Sequence, residues 1–341
     1  MTFYPIYATI SAMDSVVGAC NAGDGVRPDF EPVEKCRQIT STDPMPNWNS
    51  YQIPTSLNQA FKLLSLHPSS AIVAGGTDLL LDIRQDRHPP VDVLVDVTCL
   101  PELTCIEIRA GRLFIGAAVP LNQVAASLLV QEHAAALADS TGQIGGPQVR
   151  AVGTLGGNVA HALPAGDGAI SLLALDASAE IARSDGRREV PLIELYRGPG
   201  ESALDKTREI LTGFYLPLSI PGQASAFSRV MRPQGVALPV INMAAWLHVA
   251  DHNIIAARVA VGPAGPVPRR ADELEAALLG QVWDDGTRSR ARAALHRCVH
   301  FRSSPLRATS AYRDDLAETL LDRVMDVAYI RADASAEGGR S

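Results

Sequence analysis

The chain reads as an α+β protein in three parts, and three observations support that reading. Near the front, short apolar strands alternate with a capped helical segment, as a small α/β unit would. Further on, pairs of strand-like runs flank short turn sequences, as antiparallel hairpins require. Beyond Pro268 the apolar period becomes helical and remains so almost to the end.

The elements follow in order. Pro54-Thr55-Ser56 opens an apolar-periodic segment from Leu57 to Leu66, the pattern of a capped helix. Ala71–Ala74 and Val93–Val97 read as short buried strands. Thr104–Ile108 and Leu113–Gly116 flank Ala110-Gly111, a hairpin pattern. Val124–Leu137 reads as one helix. Glu180–Ala182 and Glu189–Leu192 flank Asp185-Gly186, a strong hairpin turn. Ile241–Val249 and Ile254–Val261 flank Asp251-His252-Asn253 and form another antiparallel pair. Helices are expected over Ala271–Leu279, Arg288–Val299 and Asp314–Ala328. Boundaries between the parts fall near 98 and 222.

Composition narrows the function classes. With 341 residues the chain has room for two or three subdomains, and 47% hydrophobic residues with 20% charge describe a packed protein. A net charge of −7 with no basic stripe argues against nucleic acid. Cys20, Cys36, Cys99, Cys105 and Cys298 are odd in number and lack C-x-x-C spacing. That pattern fits neither a disulfide framework nor an iron–sulfur or zinc site, and it fits buried thiols in a reducing, cytoplasmic compartment. Residues 1–44 are mixed in character, broken by Asp14, Gly23, Gly25 and Pro28. They contain no basic stretch before an apolar run and nothing as long as a membrane span. They read as a disordered extension or as a start placed too early.

Two glycine-rich segments stand out: Ala74-Gly75-Gly76-Thr77-Asp78, and Thr154-Leu155-Gly156-Gly157-Asn158, which runs on to Pro164-Ala165-Gly166-Asp167. Glycine lets main-chain N–H groups approach an anion closely, and successive N–H groups make an anion-binding concavity. Either segment alone could be a plain turn with a helix cap after it. Together they point to a ligand with two phosphates gripped from both sides. Neither is a Gly-x-Gly-x-x-Gly after a strand, and neither carries Gly-Lys-Ser/Thr. A dinucleotide held outside a Rossmann fold is the expectation.

At these residues the chain resembles a family. Ile72-Val73-Ala74-Gly75-Gly76-Thr77-Asp78-Leu79-Leu80 and Thr154-Leu155-Gly156-Gly157-Asn158-Val159-Ala160 resemble the two FAD-binding signatures of the molybdenum hydroxylases. Those signatures sit in the medium subunit of the xanthine dehydrogenase and aerobic carbon monoxide dehydrogenase types. Ser225-Ala226-Phe227-Ser228-Arg229-Val230-Met231-Arg232-Pro233 resembles the family's later strand. Val261-Gly262-Pro263-Ala264 with Pro268-Arg269-Arg270-Ala271 resembles a family turn, and Ser310-Ala311-Tyr312-Arg313-Asp314-Asp315-Leu316 its terminal helix. The resemblance runs from about Asn47 to Tyr329 in family order. It implies the FAD-binding fold of the vanillyl-alcohol oxidase/xanthine dehydrogenase type: two α/β subdomains around FAD, at 45–98 and 99–222. A C-terminal antiparallel sheet with helices would follow at 223–331, then a tail at 332–341.

The resemblance also implies a site. Ile72, Val73, Ala74, Gly75, Gly76, Thr77, Asp78 and Leu79 would wrap the cofactor from one side, and Thr154, Leu155, Gly156, Gly157 and Asn158 from the other. Asp167 takes the position of the family's FAD-contacting aspartate. A carboxylate does not suit pyrophosphate, so a ribose hydroxyl or adenine amino group is its expected partner. Leu211 matches a cofactor-packing position, and Ile144 does so less securely. Some positions depart from the family. Leu163 replaces a hydroxyl-bearing residue, and a lysine near the flavin falls at Ser228 or Arg229. His161 could be a covalent flavin link or a base, but reads better as a packed histidine donating to backbone. Asp78 reads as an N-cap, and Tyr196 and Tyr215 as core or interface.

No Ser-His-Asp set or metal cluster is evident, as befits a protein whose cofactor carries the chemistry. The resemblance implies non-covalent FAD in a heterotrimer. A large molybdopterin subunit would hydroxylate the substrate, and a small subunit with two [2Fe–2S] clusters would relay electrons. This chain would pass them to NAD⁺, oxygen or another acceptor. Two alternatives stay open: a self-contained FAD oxidase or reductase of the wider fold, and a flavin-free assembly subunit.

Overall fold

The computed structural model describes residues 48–231, 238–301, 303–304 and 308–338. The extension at 1–44, and Arg232 and Pro233 of the later-strand signature, lie outside them.

Strand β1 (Trp48–Gln52) leads to helix α1 (Leu57–Leu66), whose N-cap Ser56 accepts from the Gln59 amide at 3.3 Å. The helix buries Leu57, Ala60, Phe61 and Leu64, one face at helical spacing. Strand β2 (Ser70–Val73), helix α2 (Leu79–Arg84) and strand β3 (Val91–Asp96) follow. The first sheet has the order β1-β3-β2 and is parallel throughout. Tyr51 OH donates to Asp96 Oδ2 at 2.6 Å, pinning β1 to β3.

The second sheet is antiparallel, in the order β4-β5-β10-β6-β7. It contains the hairpin β4 (Ile106–Arg109) and β5 (Arg112–Gly116), the hairpin β6 (Ser178–Arg183) and β7 (Gly186–Pro191), and the central strand β10 (Ile210–Pro217). Both hairpins lie where the turn residues predict them. Ala110 and Gly111 have φ of 47° and 73°, the left-handed pair of a tight hairpin. A small ribbon, β8 (Tyr196–Gly198) with β9 (Glu201–Ser202), precedes β10.

Between β5 and β6 lies a run of short helices where one helix over Val124–Leu137 was expected. There are three in that interval: α3 (Leu121–Ala126), α4 (Leu128–His133) and α5 (Ala135–Thr141). Ser127 is extended, at φ −68° and ψ 123°, and it resets the helical phase. In one continuous helix Leu128 would share a face with buried Leu121 and Val124. Instead it is 79% exposed and Val130 turns inward. Helices α6 (Pro147–Val152), α7 (Leu155–Ala160) and α8 (Asp167–Ala174) complete the run. Periodicity did not reveal these three, because each is only two turns long and glycine-rich at its start.

The third sheet is β11 (Gln223–Val230), β12 (Ile241–Ala250), β13 (Asn253–Gly262) and β14 (Arg269–Arg270), antiparallel and in that order. Along β12, Ile241, Met243, Ala245, Leu247 and Val249 join a core with α9 (Asp272–Leu278), α10 (Asp285–Cys298) and α11 (Ser310–Gly338). Alternate residues such as Ala244 face the other way and join a core with residues of α5 and α8. A strand with period-2 side chains buried on both faces thus stitches the second and third parts together. Cys99, Cys105 and Cys298 are half-buried and outside any disulfide among the described residues, less enclosed than the composition implied; Cys20 and Cys36 lie outside those residues.

Candidate functional site

The two glycine segments, about eighty residues apart in sequence, meet in space. A Cβ placed on Gly75 would collide with the Val152 carbonyl and lie 2.7 Å from Gly153 Cα. Only glycine permits that approach. One placed on Gly153 would lie 3.8 Å from Thr77 Oγ1, so the first loop abuts the residue before Thr154.

The first segment leaves β2 through Ile72 and Val73, which pack inward with Ala74, and turns at Gly76, φ +66°. The amides of Gly75, Gly76, Thr77 and Asp78 donate to no acceptor within the described chain. Four consecutive unpaired N–H groups in a half-exposed loop are a cradle for an anion. Leu79 opens α2 behind it. Asp78 occupies the N-cap position but makes no capping hydrogen bond, and its nearest side-chain contact is Thr77 Oγ1 at 3.4 Å.

The second segment differs from the expectation. It is the first turn of α7, and its amides are already used. Leu155 N donates to Val119 O at 3.2 Å, Gly156 N to Ala117 O at 2.8 Å, and Gly157 N to Thr154 Oγ1 at 3.1 Å. Thr154 is therefore an N-cap satisfying the N3 amide, and the cap stands before the glycines, not after them. Gly156 is needed for packing, since a Cβ there would sit 2.6 Å from Ala117 Cβ. Gly157 is exposed, and a Cβ there would meet only Thr154 Oγ1 at 3.1 Å. What this segment offers a ligand is the bare face of Gly157, the Thr154 hydroxyl proton and the Asn158 side chain. Asn158 Oδ1 is buried without a hydrogen-bond partner, against Gly166 and Gly168.

Asp167 and Arg229 are brought together, as an ion pair. Asp167 is 4% exposed at the start of α8, and Arg229 Nη1 donates to its Oδ2 at 2.6 Å. Its Oδ1 accepts from Asn242 Nδ2 at 2.6 Å. Burial pushes the Asp167 carboxyl above its ordinary value, against the pull of Arg229 and Asn242. Each oxygen thus already has a protein donor. Arg229 also donates to the Gln143 carbonyl, so the position expected to hold the family's cation is occupied by a paired guanidinium, with Ser228 beside it half-buried. Leu211 is buried in the core shared with Leu155 and Val159, next to a bulge in β10. The His161 ring ends α7, half-buried, and makes no hydrogen bond within the described chain, so it does not donate to backbone as expected. Tyr196 is buried in the core, and Tyr215 packs on Phe114 with Arg112 over its ring.

Two residues escaped the sequence reading. Asn242 is fully buried on β12, and a polar residue inside the run Ile241-Asn242-Met243 was the available signal. Arg150 on α6 donates from Nη1 to the carbonyls of Ile144 at 3.2 Å and Gly145 at 2.7 Å, fixing the loop before the second segment. Nothing in its own neighbourhood in sequence marks it.

Two known domain families match the chain in succession. Residues 45–219 match the FAD binding domain in molybdopterin dehydrogenase, and residues 225–328 match the CO dehydrogenase flavoprotein C-terminal domain. The chain is 31% identical over 288 residues to the xanthine dehydrogenase FAD-binding subunit of Escherichia coli O157:H7, covering 83% of this chain and 97% of that one. Among solved structures, a chain of carbon monoxide dehydrogenase from Hydrogenophaga pseudoflava superposes with a TM-score of 0.78 at 26% identity, covering 84% of this chain and 99% of that one. A chain of quinoline 2-oxidoreductase from Pseudomonas putida 86 does so with 0.77 at 28% identity, over 83% and 97%.

Proposed function

The chain belongs to the family of FAD-binding medium subunits of the molybdenum hydroxylases, and on that premise we propose that it is the electron outlet of such a complex. It takes electrons from the [2Fe–2S] clusters of a small partner subunit and delivers them to NAD⁺, oxygen or another acceptor. A large molybdopterin subunit carries out the hydroxylation. No helix of the described residues is long and apolar enough to cross a membrane.

The observation that carries this reading is the row of four unpaired amides from Gly75 to Asp78, closed against Val152 and Gly153. These amides would hold the pyrophosphate, and the Thr77 hydroxyl would add a further donor. From α7, the exposed Gly157 would leave room for close approach of the cofactor, and the Thr154 hydroxyl and Asn158 amide group would donate to it. Unpaired donors held rigid by neighbouring packing bind an anion without reorganising, which is the physical gain over a flexible loop. FAD, when bound, supplies the redox chemistry, taking up and releasing electrons singly or in pairs. The protein's share is to bind it non-covalently, orient it and leave one edge accessible.

The purified chain should show a flavin spectrum, and acid or heat should release FAD and not FMN. Molybdenum and iron should arrive only with co-purifying partner subunits. A colourless chain that takes up no added FAD would refute the reading. Robust turnover of an organic substrate by the single chain would replace it with a self-contained flavoenzyme.

A further inference from the structure

Arg229 stands on β11 with only 6% of its side chain exposed. Besides its pair with Asp167, its Nη2 donates to the Gln143 carbonyl and, at 3.1 Å, contacts Met231 Sδ. Asn242, on the neighbouring strand, donates both to Asp167 Oδ1 and to the Ala165 carbonyl at 3.0 Å. Two strands of the C-terminal matched domain thus reach, through one buried cation and one buried amide, into two loops of the FAD-binding domain. One loop, 143–146, leads directly into α6 and is also held by Arg150 before α6 runs on to Thr154. The other, 164–168, carries Gly166 and Gly168, where an added Cβ would lie 3.3 Å and 2.8 Å from Asn158 Oδ1, so the loop and Asn158 are close neighbours. The approaches to both ends of the second glycine segment are therefore held by the same guanidinium.

We infer that Arg229 is a positioning residue, which sets the second glycine segment in place through Asp167 and Gln143 and does not itself contact the cofactor. The inference rests on the proposed FAD role of that segment. A guanidinium suits the task because its planar fork serves two acceptors at a fixed separation, which an ammonium does not. Burial makes the arrangement rigid, since moving either partner away would strand a charge in a low-dielectric interior.

The test compares full-length wild-type chain with Arg229→Met, Arg229→Lys and the double variant Arg229→Met/Asp167→Asn. In FAD-free protein, exchange of the hydrogen-bonded amides of Arg150 (to the Gly146 carbonyl) and of Gly166 and Ile170 (to the Leu163 and Gly166 carbonyls) should accelerate about tenfold or more in Arg229→Met, the scale of losing a hydrogen bond to a charged group. The β4–β5 hairpin should exchange at its wild-type rate. Arg229→Lys should slow the Gly166 and Ile170 amides again, by restoring the pair with Asp167, and leave that of Arg150 fast. The double variant removes both buried charges, so it keeps the question open to test if the single variant fails to fold, and its Arg150 amide should also be fast. FAD dissociation constants should rise in the same order as the exchange rates. FAD binding that weakens with exchange unchanged would mean direct contact and overturn the inference, as would no change in either. A wild-type chain that binds no FAD would defeat the proposed function alone, because the exchange comparison is made without it.

Discussion

At the scale of single residues, glycines that look alike in sequence have different work to do. Gly75 and Gly156 are needed because another part of the backbone occupies the space a Cβ would take. Gly157 is exposed, and a Cβ there would meet only the Thr154 hydroxyl oxygen, at 3.1 Å. Gly75→Ala should therefore destabilise the FAD-free chain by about 1–3 kcal/mol, as overpacking does, seen as a lower Tm. Gly157→Val should leave the FAD-free Tm nearly unchanged, within about 0.5 kcal/mol, yet weaken FAD binding strongly. Equal effects of the two substitutions on Tm would show that the exposed glycine is structural as well. Asn158→Ala should cost FAD binding ~1.5–3 kcal/mol, one hydrogen bond to an ionised group, measured by titration of the apoprotein. The residue types were legible in the sequence. The division of labour was not, because it depends on what faces each Cα.

At the scale of elements, Glu209 joins the β6–β7 hairpin to the entrance of β10. It is 2% exposed and accepts from Arg183 Nε at 2.8 Å, from Arg188 Nη2 at 3.1 Å and from the Asp205 amide at 2.8 Å. Burial works to raise its pKa, but the Asp205 amide and the two guanidinium groups outweigh burial and hold the carboxyl below its ordinary value. A folded-state pKa below the unfolded one stabilises fully above the ordinary carboxylate value of about 4.3. That stabilisation is lost as pH falls through the lower, folded value. Glu209→Gln should lower Tm at neutral pH and flatten its fall on acidification, followed by thermal unfolding from about pH 7 to pH 3. An unchanged acid limb would assign the acid sensitivity to other carboxylates. The hairpin itself could be read from Asp185-Gly186, because its turn chemistry is local. The clamp could not, since Glu209 meets its arginines only after β10 has paired with β6.

At the scale of the whole molecule, the C-terminal sheet is bound to the rest by buried side chains more than by backbone pairing. Arg258 on β13 stacks over the Trp246 ring at 3.7 Å and donates from Nε to the Ala174 carbonyl at the end of α8. Its replacement by alanine should cost about 1–3 kcal/mol from the lost stacking and hydrogen bond. Calorimetry should show Tm falling by several degrees, with the single transition broadening or splitting as the two parts uncouple. A sharp transition at the original Tm would mean that apolar contacts of α5 and α8 suffice.

The sequence by itself determined the fold class, the three hairpins, the capped first helix, the glycine positions and the family to which they belong. Each of these rests on neighbours within a few residues, or on motifs preserved in order along the chain. Only the tertiary structure decided that the first glycine segment keeps its amides free while α7 consumes those of the second. It alone decided that Asp167 and Arg229, sixty-two positions apart, neutralise each other. The physical reason is the same in both cases. A hydrogen-bond donor or a charge has no fixed role until its competitors for partners are in place, and here those competitors (Ala117, Val119, Gln143 and Asn242) arrive from strands and loops distant in the chain.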